Sequence, residues 1–195
     1  AAEYGFQGFI GAVSSLAISG NFIFGSKIER QGFTSKTVHD VDKDQSGWNN
    51  LCEQLQGSSI ASFTACDIGM GPVALRRLAT SLPAAVTSVN CLHNPLGEGV
   101  QILIKVFEET PRLRTLCGFE EGVEQIDWSK SGKGPADVAL LAADLKAGRA
   151  GGAVASMTLD DNKTIGATGA DSLMESICTT RNTQIVKIKH DVGAL

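Results

Sequence analysis

Asp42, Asp44, Ser46 and Glu53 take positions 1, 3, 5 and 12 of the stretch Asp42-Lys-Asp44-Gln-Ser46-Gly47-Trp-Asn-Asn-Leu-Cys-Glu53. Oxygen ligands at that spacing, with glycine at position 6 for the sharp turn, are those of an EF-hand-like calcium loop. Against this, position 8 is Asn49 where an aliphatic residue is usual, and no second such loop is present to pair with. The other reading is an acidic loop without a cofactor, ending in a helix from Trp48 to Gln56 with Ser46 as its N-cap. Three further constellations invite chemistry. Cys91 and His93 lie two residues apart, and a thiol needs a base within reach to act as a nucleophile. Strand alternation, however, turns Cys91 inward and leaves His93 at a bend. Gly132-Lys133 lacks the earlier glycine and the following Ser or Thr of a phosphate loop. Glu124, Asp127, Asp160 and Asp161 are carboxylates on what should be an open sheet, where water keeps their pKa values ordinary. Trp128 is expected in the core rather than as a stacking platform. No enzyme is expected.

The elements that carry these residues follow from an internal repeat. Val86-Thr-Ser-Val89-Asn-Cys91-Leu-His-Asn94-Pro-Leu96-Gly97 fits the pattern LxxLxLxxNxLG, and the chain repeats it. With the ninth position as anchor, the units centre on Asn21, Cys66, Asn94, Ser131, Asn162 and Asp191, at a base period of roughly 28 residues. Between anchors lie helical patterns. Gly71-Pro72 and Gly134-Pro135 each open one with proline in the first turn, and apolar residues follow at spacings of three and four. Two longer intervals mark insertions near 24–47 and 110–122. Residues 1–12 form a lead-in and 13–195 a single domain of about six units. Positions 1, 4, 6 and 11 fill the core, and an Asn at position 9 satisfies backbone groups freed by the turn.

Units of this kind resemble the ribonuclease-inhibitor-like subclass of leucine-rich repeat proteins over roughly residues 13 to 191. Leu113-Arg-Thr-Leu-Cys-Gly118 and Gly134-Pro-Ala-Asp137 are similar to stretches of long repeat arrays of protists. The resemblance implies an α/β solenoid, a horseshoe with parallel strands on its concave face and helices on its convex face. It also implies protein partners on the concave face, so the chain is expected to be a non-catalytic scaffold or adaptor. A calcium-responsive binding module is the alternative.

The pattern places Glu124, Gln125, Asp127, Asp160 and Asp161 on the concave side as an acidic stretch, followed by Lys187, Lys189 and His190 as a basic edge. A partner with a basic patch suits the acidic stretch, with rate and specificity as the main gain. The last strand is followed by no closing helix, so its edge is expected to be covered by a partner, a larger assembly or a second copy. Net charge is −4 without a basic tract, which argues against nucleic acid. No apolar run approaches the roughly 20 residues of a membrane span, so no membrane insertion is expected. Five cysteines at no metal-ligand spacing fit reduced thiols in a cytoplasmic or other reducing, soluble compartment.

Overall fold

Strands only three residues long carry the parallel pairing, and in each the central side chain is the one that turns inward. Phe63, Val89, Ile126 and Met157 are buried, while their strand neighbours are exposed or half-buried. That alternation is the period-two signature of a sheet with one covered face. The computed structural model describes residues 13–31, 35–179 and 187–189. One parallel sheet contains β1 (Ser15–Ala17), β4 (Ser62–Thr64) and β5 (Ser88–Asn90). A second contains β6 (Gln125–Asp127), β7 (Ser156–Thr158) and β8 (Lys187–Lys189). Helices α1 (Ser46–Gln56), α2 (Pro72–Ala79), α3 (Val100–Glu109), α4 (Pro135–Ala147) and α5 (Gly166–Thr179) alternate with them. The architecture is mixed α/β with short parallel strands.

The helices form where the apolar spacing and the prolines place them. Pro72 and Pro135 each open a helix, where the missing N–H costs nothing and φ is preset. Ala74, Leu75 and Leu78 bury one face of α2, and Val138, Leu141 and Leu145 one face of α4. Under α1, the Trp48 indole N–H donates to the Ala74 carbonyl at 2.9 Å, and its ring sits 5.3 Å from Phe24 and 6.3 Å from Phe63.

The sheet register corrects two units of the sequence alignment. Phe63 pairs with Val89, so Ile60, Phe63 and Ala65 take the places held by Val86, Val89 and Cys91 one unit later. The ninth position of that unit is therefore Ile68, fully buried, and not Cys66. Ile60, which would be at position 3 on the solvent face if Cys66 held the ninth position, is also buried. In the last unit Ile188 pairs with Met157, so it holds the first inward strand position rather than the second. Both errors are shifts of two residues, which keep a central residue such as Phe63 at an inward position and so are hard to detect in a pattern of period two. A backbone recurrence supports the corrected register. Gly20, Asp67, His93, Lys130 and Asp161, each four residues after a strand's central residue, all have positive φ between 53° and 76°.

Both insertions hold structure. The first contains an antiparallel hairpin of β2 (Lys27–Gln31) and β3 (Ser35–His39) rather than an acidic loop alone. The second supplies a further rung. Thr115 bridges Ser88 in parallel, the Arg114 amide donates to Thr87 O at 2.7 Å, and the Val89 amide donates to Thr115 O at 3.0 Å. Leu113 and Leu116 are fully buried on its inner side. Gly118 lets this rung approach β5: its φ is +74°, and a Cβ there would stand 2.7 Å from Asn90 Nδ2.

Candidate functional site

The strands β6 to β8 bring part of the expected binding face together. Their register places Gln125, Ser156 and Lys187 in one row and Asp127, Thr158 and Lys189 in the next. Glu124, Gln125 and Asp127 are exposed. The Asp127 carboxylate accepts from the Ser129 hydroxyl at 2.6 Å and the Ser129 amide at 2.9 Å, and these bonds hold its pKa below the usual carboxylate value. Asp127 is thus a fixed, exposed negative charge. Asp160 and Asp161 sit in the turn after β7, Asp160 half-buried and Asp161 exposed, with Lys130 Nζ 3.8 Å from Asp161. His190 and Asp191 lie outside the described residues.

The calcium ligand set is dispersed into separate contacts. Asp42 Oδ1 accepts from the Gly71 amide at 2.9 Å, and Oδ2 accepts from the Val73 and Ala74 amides at 2.8 and 3.3 Å. Those are the unpaired donors at the start of α2, so Asp42 caps that helix from a distant segment. Asp44 Oδ1 accepts from the Ser46 amide and hydroxyl, which lowers its pKa. Ser46 is not the N-cap of α1. It is the first helical residue, Gln45 holds the cap position, and Asp44 serves the Ser46 amide. Glu53 lies on α1 and pairs with Arg77 at 3.4 Å. Among the described residues, no group of three or more His, Cys, Asp or Glu is placed to hold a metal ion.

The anchor ladder forms at Asn94 and Asn162. Asn94 Oδ1 accepts from the Ile68 and Met70 amides at 3.0 and 3.1 Å, and Nδ2 donates to Ala65 O and Cys91 O at 2.7 and 2.9 Å. Each contact joins one turn to the turn of the preceding unit or closes its own. Asn162 repeats this toward Lys133 N and Trp128 O, at 2.8 and 2.7 Å. Ser131 donates to Trp128 O at 2.5 Å. Asn21 is exposed and donates only within its own turn, to Ile18 O and Ser19 O. Cys66 is off the ladder, and its thiol donates to Asn90 Oδ1 at 2.9 Å. Cys91 is fully buried, and burial pushes its thiol well up, so no thiolate stands beside His93.

Residues the sequence reading passed over do as much. Asp144, fully buried on α4, accepts from the Thr115 hydroxyl (2.6 Å), the Leu116 amide (2.7 Å) and the Cys117 amide (3.0 Å). Burial raises the Asp144 pKa to about 6 against its hydrogen bonds. Arg149 Nη1 donates to Phe107 O, Thr110 O and Leu113 O at 2.8 to 2.9 Å, closing the end of α3. Asp137 accepts from the Gly134 amide at 2.9 Å and the His93 amide at 2.7 Å. Lys133 Nζ meets His93 Nε2 at 2.5 Å and lies 4.6 Å above the Trp128 ring. One signal for this cluster was present in sequence: a lysine where the unit pattern asks for leucine.

No helix among the described residues is long and apolar enough to cross a membrane. Comparison of the sequence with protein-family models and with curated proteins returns no match.

Proposed function

We propose that the chain is a curved α/β solenoid of the leucine-rich-repeat type that binds a protein partner through the strand rows of Gln125 and Asp127 on the β6–β7–β8 sheet and performs no chemistry of its own. One contrast carries the reading. The carboxylates of Asp42, Asp137 and Asp144 each accept backbone amides from distant segments, whereas Asp127 bonds only to neighbouring Ser129 and stays exposed and ionised. That exposed charge, with exposed Glu124 on the same strand edge and exposed Asp161 in the turn after β7, suits a partner with a basic patch. The in-register parallel rows and the asparagine ladder support the repeat architecture, which presents such faces as extended binding surfaces.

The test is cross-linked affinity capture from a native extract. It compares the parent with a variant carrying Asp127→Lys, Asp160→Lys and Asp161→Lys. A partner held by the parent, weakened by added salt and lost by the variant is the expected outcome. A partner captured equally by both moves the site off this face, and a parent that captures nothing removes the reading.

A further inference from the structure

The first asparagine of the ladder is used on one side only. Asn21 Nδ2 donates to Ile18 O and Ser19 O, as Asn94 does to Cys91 O and Leu92 O and Asn162 to Leu159 O and Asp160 O. Asn94 and Asn162 also reach back across the stack. Asn94 takes the Ile68 and Met70 amides and the Ala65 carbonyl of the unit before it, and Asn162 takes the Lys133 amide and the Trp128 carbonyl. Asn21 is exposed and makes no such bond to a described residue.

The same end of the stack is open in two other respects. Among the described residues, β1 ends its sheet, with β4 on one side. Ile18 N–H and Ser14 C=O face β4, so alternation along the strand turns those of Ser15 and Ala17 to the other edge. Its inward residues are also less covered than their equivalents. Phe63, Val89, Ala65 and Cys91 are fully buried in the next two units, but Leu16 and Ile18 are only half-buried. Val13 is 56% exposed and Ile23 39%, whereas Val86 and Leu96 at the matching positions are fully buried.

We propose that this end binds the opposite end of a second copy of the chain, with β8 of one copy pairing in parallel with β1 of the next. The internal units define what fits: a strand parallel to β1, followed by a turn that offers backbone amides to Asn21 Oδ1. Asn94 and Asn162 both reach toward the earlier unit, so the occupant is the last unit of another stack. This chain carries one. Among the described residues, β8 ends its sheet, parallel to β7 and with β7 on one side. The junction therefore repeats the parallel pairing that joins β1 to β4 and β7 to β8. It also removes Val13, Leu16, Ile18 and Ile23 from water. Such a contact is head-to-tail, so it adds copies beyond two. It leaves the rows of Gln125 and Asp127 open and does not depend on the partner site proposed above.

Sedimentation equilibrium of the chain from micromolar to millimolar concentration tests the junction. The average mass is expected to rise with concentration past that of a dimer. Ile23→Lys stands at a position where another unit carries Lys133, so it should keep the fold by circular dichroism. It should weaken association about tenfold or more, because it brings an unpaired charge into the junction. That variant keeps its other end, so when added to the parent it should terminate the assemblies and lower their average mass. Ala17→Pro removes an outward N–H from an edge strand and should act alike. A parent that stays monomeric overturns the proposal, and protected Ser15 and Ala17 amides in that monomer would assign residues 1–12 to the edge instead. A mass that levels at a dimer overturns it too, since two identical ends then face each other. So does association that neither variant weakens, or an Ile23→Lys chain that leaves the parent's assemblies unchanged.

Discussion

Replacing Asn94 with alanine should be among the most damaging single changes in this chain. The side chain is 7% exposed, and its Oδ1 is the acceptor for the amides of Ile68 and Met70, both fully buried residues. A buried donor left without a partner costs about 1–3 kcal/mol, so the two amides together cost about 2–6 kcal/mol. The carbonyls of Ala65, Cys91 and Leu92 also lose their donor, but each keeps a second lone pair and adds less. A loss of about 4 kcal/mol is expected, or about 8–16 °C in melting midpoint for a chain of this size. Urea unfolding followed by circular dichroism measures it, with an unchanged m-value showing that stability alone moved. Cys66→Ala is the control. If the original alignment were right, Cys66 and Asn94 would be equivalent and similarly costly. The observed register makes Cys66 a half-buried residue whose weak thiol donor reaches only Asn90, at its Oδ1 and its carbonyl, so its loss is expected to cost under about 1.5 kcal/mol. An Asn94→Ala cost below about 1 kcal/mol, or a Cys66→Ala cost equal to it, would refute the ladder argument.

Two further outcomes follow from buried and capping carboxylates. Asp42→Ala should cost about 1–2 kcal/mol by uncapping α2, and millimolar calcium should leave the parent's melting midpoint in place. A calcium-dependent rise in that midpoint, lost in Asp42→Ala, would restore the ion-binding reading of Asp42 to Glu53. For Asp144, burial raises the folded pKa from 3.8 to about 6, so the folded state binds more protons than the unfolded state between those values. Its contribution is therefore fully present below pH 3.8 and is lost as pH rises through about 6, on the order of 3 kcal/mol in all. Unfolding at pH 4.5 and 7 should show the parent gaining stability at the lower pH relative to Asp144→Asn, and an equal difference at both would contradict it.

Most helices and the alternation of elements were legible because they rest on local signals. Proline at the first turn and leucines three and four apart define α2 and α4 whatever surrounds them. The strand residues Phe63, Val89, Ile126 and Met157 were also recognisable as inward. Register was harder. A shift of two residues preserves inward parity, so Cys66 and Ile68 competed for the same place until Phe63 was seen to pair with Val89. The second insertion hid a rung for a related reason. Leu113 and Leu116 have the right spacing, but no anchor and no helix follow before β6, so the unit pattern broke off around them.

The candidate site divided along the same line. Exposed acids on β6 and its neighbouring turns were readable, because outward positions follow from strand parity. The fate of Asp42 was not, because a carboxylate at calcium-loop spacing can equally cap a helix 30 or so residues further on. Nothing near Asp42 in sequence names Gly71, Val73 or Ala74 as its partners.

The sequence by itself determined the alternation of repeat strands and helices, the central inward residue of most strands and the turns that need Asn94 and Asn162. These depend on spacing within about one unit, where backbone geometry fixes which side chains share a face. Only the tertiary structure decided the register between units, the extra rung at Thr115 and the partners of Asp42, Asp137, Asp144, Arg149 and Lys133. Those depend on which backbone donors and acceptors remain unpaired once the units are stacked. A polar side chain is drawn to whichever buried group would otherwise lack a partner, however distant it is along the chain.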